Sequence, residues 1–168
     1  MALPQGFTRY TGYDSPDIFR SFLIQHFISA QKDGLFFRDK LPLPSTGEIT
    51  AAAEYTAAGF DDVSAIKSGL DAWLRSVHIS CDSAAVSEVL LRAVNECGAN
   101  RKNTYFVMLC WLMKYLAAKP KNVFFIGGAG LRELYLLYML NVAGAAVTLV
   151  SYGQDGDFER FAYKDKIT

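Results

Sequence analysis

The chain has 168 residues, with 17 Lys+Arg against 17 Asp+Glu, so its formal net charge is zero. That balance, with no basic stripe along the chain, speaks against a nucleic-acid partner. Apolar residues at 51% and aromatics at 14% exclude a disordered chain and call for a dense core. The length matches about one domain, enough to bury roughly two thirds of the unfolded surface without help from disulfides or a metal.

From the N-terminus, Phe7-Thr8-Arg9-Tyr10-Thr11-Gly12-Tyr13 alternates as a short strand does. Asp14-Ser15-Pro16 then signals helix entry, a capping hydroxyl followed by proline at the first helical position. Ile18, Phe19, Phe22, Leu23, His26 and Phe27 recur at helical spacing and form an apolar face. Asp33-Gly34 ends that helix, and Leu35-Phe36-Phe37 reads as a second strand. Leu41-Pro42-Leu43-Pro44 prevents helix beyond it.

Ser45 or Thr46 caps the next helix. With Ser45 as cap, Glu48 occupies the reciprocal capping-box position, and the helix is expected to end near Gly59. Asp61 or Asp62 caps another, with Val63, Ile66, Leu70, Trp73 and Leu74 on one face. A further helix runs from about Asp82 to Cys97 and is closed by Gly98. The most apolar helix spans about Asn103 to Ala118 and should be central; Pro120 stops it.

The last unit is a strand at Asn122–Ile126, a turn at Gly127-Gly128-Ala129-Gly130, a helix to about Val142 and a strand at Ala146–Val150. A helix joining two buried strands is the signature of a parallel crossover. The nearly uncharged stretch from Leu134 to Tyr152 approaches membrane-spanning length, but its chemistry changes at Gly144 from helix formers to β-branched residues. A buried helix and a buried strand are expected there instead. The acidic tail after Gly156 reads as exposed. The pattern predicts an α/β fold over residues 1–168 as a single domain. It has a small, mainly parallel sheet, a C-terminal βαβ unit at 122–152 and several packing helices.

Cys81, Cys97 and Cys110 are odd in number and lack Cys-x-x-Cys spacing, which suggests reduced thiols. The first residues show no basic segment followed by an apolar one, so no signal peptide is expected. A cytoplasmic location, with no membrane and no nucleic acid as partner, is the resulting expectation.

The best candidate site is the loop Gly127, Gly128, Gly130 with Arg132 and Glu133. Glycines between a strand end and a helix start permit close backbone approach, and helix N-terminal amides attract anions. Arg132 offers a bidentate contact to phosphate or carboxylate, and Glu133 an acceptor for a hydroxyl. Yet Gly-Gly-Ala-Gly is neither the dinucleotide fingerprint nor a P-loop, and a plain tight turn explains it equally. Beyond the second strand, Asp155 is a candidate hydroxyl contact, and Asp155 with Asp157 forms a weak candidate metal pair without a third ligand. Ordinary turn chemistry accounts for Asp-Gly-Asp as well. His26 and His78 lack ligand-spaced partners and read as core or interface residues. No catalytic set emerges, and whether the chain is an enzyme stays open.

Three segments together resemble the YceG-like family of bacterial tellurite-resistance and stress-response gene neighbourhoods. They are Phe36 to Pro44 running into Ser45-Thr46-Gly47-Glu48-Ile49, the tryptophan-bearing helix from Asn103 to Leu116, and Val123 to Val150 with its glycine turn. Members of that family are longer and repeat such a module, so this chain is similar to one module. The resemblance implies a cytoplasmic component of a metabolite-making system; it supplies no catalytic residues.

These observations frame three expectations. The first is a ligand-binding domain recognising a phosphorylated or nucleotide-like small molecule, with a nucleotide or phosphorylated metabolite as the cofactor class. The second is a protein-protein interaction module, with a protein partner or a homo-oligomer. The third is a metal-dependent transferase fragment.

Overall fold

The computed structural model describes residues 6–12, 15–56, 59–151 and 156–168. It is a mixed α/β protein. Its strands are β1 (Phe7–Tyr10), β2 (Gly34–Arg38), β3 (Asn122–Ile126) and β4 (Ala146–Val150). Its helices are α1 (Pro16–Asp33), α2 (Thr46–Ala53), α3 (Val63–Ser76), α4 (Ser83–Glu96), α5 (Arg101–Ala117), α6 (Leu131–Val142) and α7 (Gly156–Arg160). The chain separates into two compact units, Met1–Leu41 with Pro120–Thr168, and Pro42–Lys119.

The first unit holds the sheet. Its four strands lie in the order β1-β4-β3-β2, and every neighbouring pair is parallel. The register aligns Arg38, Ile126, Val150 and Tyr10 as one row at the carboxyl end. The ladder continues past the strand ends. Asp39 N–H donates to Ile126 C=O at 2.9 Å, Gly127 N–H to Val150 C=O at 2.9 Å, and Ser151 N–H to Tyr10 C=O at 3.0 Å.

Side chains alternate across the sheet. One face carries Phe124, Ile126 and Val150 and packs against Phe19, Phe22, Leu23 and Ala30 of α1. The other carries Phe7, Val123, Phe125, Val147 and Leu149, all buried. The outer edge of β1 is paired by Thr168, whose N–H donates to Phe7 C=O at 3.0 Å and whose C=O accepts from Arg9 N–H at 2.7 Å. α6 packs along β4, and the uncharged stretch beginning at Leu134 is this helix followed by that strand.

The second unit is helical. Ser45 Oγ accepts from Glu48 N–H at 3.3 Å while Glu48 Oε2 accepts from Ser45 N–H at 2.7 Å, completing the capping box of α2. Asp62, Asp82 and Asn100 cap α3, α4 and α5 through their side chains. Ile66, Leu70, Trp73 and Leu74 form the buried stripe of α3, and Trp111 Nε1–H of α5 donates to Pro42 C=O at 2.8 Å.

Two expectations need correction. α2 ends at Ala53, well before Gly59, because Thr56 Oγ1 bonds the Ala53 carbonyl and Gly59 N–H turns back to Thr56. The tail is not uniformly exposed: Phe158 of α7 and Phe161 are buried, and Phe161 packs edge-on against Tyr135 of α6 at 4.9 Å. Among the described residues no helix is long and apolar enough to cross a membrane.

Candidate functional site

The carboxyl ends of parallel strands are where open α/β sheets usually bind ligands, because loops leave there and helix N-termini face the crevice. In this sheet the glycine turn follows β3 at that end. Gly127 has φ +125, and a Cβ there would sit 2.5 Å from Asp39 Oδ1 and 3.0 Å from the Asp39 backbone. Only glycine fits, on both conformational and steric grounds. Asp39 itself adopts φ 62, left-handed for a non-glycine residue, immediately after β2.

Gly130 is the N-cap residue of α6. A Cβ on it would meet Glu133 Oε2 at 2.8 Å and come 3.9 Å from Asp157 Oδ2. Glu133 therefore folds back over the helix start, where the macrodipole favours a carboxylate, and Asp157 approaches from α7. Asp157 also accepts from Arg160 Nη1 at 3.4 Å. A Cβ on Gly128 would meet nothing within 4 Å, so this stretch of backbone opens onto free space.

A basic residue closes the β1 side. Arg9 Nε donates to Ser151 Oγ at 3.2 Å, and its guanidinium lies 3.7 Å over the Phe158 ring. The stack is a cation–π contact that fixes the guanidinium and ties α7 to β1. Arg132 stands half-buried on the first turn of α6 and makes contacts of its own.

The structure thus gathers Gly127, Gly128, Gly130, Glu133 and Asp157 at one end of the sheet. Asp155, with Tyr152, Gly153 and Gln154, lies outside the described residues. Asp39, Arg9 and Ser151 join the site without having been singled out in the sequence. For Asp39 the only local signal is its position straight after a strand. Arg9 and Ser151 meet across 142 positions of chain, and no local pattern encodes such a contact. Among the described residues no three His, Cys, Asp or Glu side chains come together to hold a metal.

The other titratable groups sit elsewhere. His26 is half-buried on the inner side of α1, stacked on Phe124 at 5.2 Å, and burial lowers its pKa. His78, expected in a core or interface, is exposed at φ 54 just beyond α3. Glu48 is held down at about 2, first by the hydrogen bond from Lys114 and then by the Ser45 cap. Burial, and then the Glu48 charge, pushes the Cys110 thiol up to about 11, so it is no nucleophile at neutral pH. All three cysteines are free thiols.

Comparison with protein-family models, curated proteins and solved structures finds no match for this chain.

Proposed function

We propose that the sheet-bearing unit binds a small phosphorylated or nucleotide-like molecule at the carboxyl end of its strands. The observation that carries this reading is the convergence on one glycine turn of carboxylates from three separate elements. Asp39 comes from the end of β2, Glu133 from α6 and Asp157 from α7.

The charges suggest how the ligand lies. Glu133 already faces the amides of the α6 N-terminus, so a phosphate placed there would meet a carboxylate. The hydroxyls of a sugar fit that side, donating to Glu133 and Asp157. The phosphate lies toward the open backbone at Gly128, with Arg132 as the neutralising charge. The resemblance to the YceG-like family would place such a domain in a bacterial stress-resistance or biosynthetic system, in the cytoplasm.

A thermal-shift panel of nucleotides, nucleotide sugars and sugar phosphates, with and without magnesium, tests the reading. The expected result is a concentration-dependent rise in Tm that falls in both Arg132→Ala and Glu133→Gln. A flat panel on folded protein, or a rise indifferent to both substitutions, removes this site. A rise that depends on magnesium and disappears in Asp157→Asn would move the reading to a metal-dependent transferase.

The interaction-module reading has one observation in its favour. α1 leaves large apolar side chains in solvent.

A further inference from the structure

α1 is 18 residues long and buries only Ala30. Its inner side, with Phe19, Phe22 and Leu23, rests on the sheet. Its outer side leaves Ile18 at 64%, Ile24 at 49% and Ile28 at 49% exposure. Exposing that much aliphatic surface along one helix costs solubility and calls for a cover.

The outer stripe has an internal logic. Asp17, Ser21, Ile24, Ile28 and Lys32 succeed one another at helical spacings of four, three, four and four, so they form one continuous line along the helix. All five are exposed. An acid stands in the first turn and a base in the last, with a small residue next to the acid and isoleucines between. Around the small residue the surface sinks into an open depression of about 390 Å³, lined by Asp17, Ile18, Ser21, Phe22 and Gln25.

We propose that α1 pairs with α1 of a second copy of this chain, antiparallel about a two-fold axis. The line is self-complementary only in that direction. Lys32 reaches Asp17 of the second copy, Ile28 enters the depression over Ser21 of the second copy, and Ile24 meets its own symmetry mate. A parallel pair would set Asp17 against Asp17 and Lys32 against Lys32. A C2 contact repeats each of these interactions twice, as isologous interfaces do. The helix is about 27 Å long, which gives a modest, reversible contact rather than an obligate one.

Sedimentation equilibrium of the full chain over a wide concentration range tests the pairing. Wild type is expected to pass reversibly from monomer to dimer. Ile28→Glu should weaken association about a hundredfold while its denaturation midpoint, measured dilute, stays at the wild-type value because the position is exposed. Asp17→Lys and Lys32→Asp should each weaken the dimer, and the two combined should restore it, since the pair is then re-formed with its charges exchanged. A wild type that stays monomeric overturns the proposal, as does a dimer indifferent to Ile28→Glu. A double variant no stronger than either single one overturns the antiparallel arrangement.

Discussion

Two helices of nearly equal length, α1 and α5, have opposite environments. α5 buries ten of its 17 residues, among them Met108 and Leu112 at 0% exposure, whereas α1 buries one of 18. Both carry large apolar side chains, α5 more of them, but composition alone does not account for one buried residue against ten. Neighbours do. α5 is packed by both α2 and α4, while α1 lies on a single sheet face against β2 and β3. A helix with one supporting surface can hide one stripe only; whatever apolar residues it carries elsewhere stay in water.

That contrast can be broken most forcefully at the centre of α5. Leu112→Ala should destabilise the chain by about 2–5 kcal/mol in urea denaturation, because the side chain is fully buried and packed surroundings relax only partly around such a gap. A loss no larger than that of an exposed residue would contradict the burial described for α5.

The next largest effect is expected at the glycine turn. Gly127→Ala should cost about 1–3 kcal/mol, since it combines left-handed strain with collision against Asp39. Adding Asp39→Ala should recover only part of the loss, because the Asp39 backbone, at 3.0 Å from the added Cβ, still crowds it and the positive φ remains. Full recovery in the double variant would show that the side-chain clash alone demands glycine.

Ile24→Ala on the outer side of α1 should change stability by no more than about 0.5 kcal/mol when measured on dilute, monomeric protein. A larger loss would mean that Ile24 is already covered within the chain.

The smallest stability effect belongs to Glu48. Its folded pKa lies below the ordinary 4.5, at about 2, so the folded chain binds the proton less readily than the unfolded one. The contribution is present above pH 4.5 and is lost as pH falls toward about 2. In Lys114→Met an NMR titration of Glu48 should move back up toward the usual carboxylate range. An unmoved titration would leave the Ser45 capping box as the sole cause.

The reach of local patterns explains what was legible. Ser45 and Glu48 are three residues apart and answer each other directly, so the capping box could be read from the chain and stands in the structure. Asn122–Ile126 and Ala146–Val150 are short β-branched and aromatic runs set between Pro, Gly and turn residues, and their bounds hold. The alanines at 51–53 favour helix. Thr56 then turns its hydroxyl on the Ala53 carbonyl, a competition that the apolar pattern conceals. Phe158 and Phe161 sit in a charged tail and gain their burial from Tyr135 and Arg9, residues remote in sequence.

At the candidate site the same division holds. The sequence by itself determined the glycine turn and the helix that follows it, because strand, turn and helix signals are all local there. It also determined that an acid, Glu133, stands in the first turn of that helix. Only the tertiary structure decided that Asp39 packs on Gly127, that Asp157 approaches Gly130 and that Arg9 is held between Ser151 and Phe158. It alone decided, too, that the apolar residues of α1 divide between a sheet and solvent. Contacts such as these depend on parallel strand order, which brings the first and last segments of the chain side by side, and no periodicity along the sequence encodes that order.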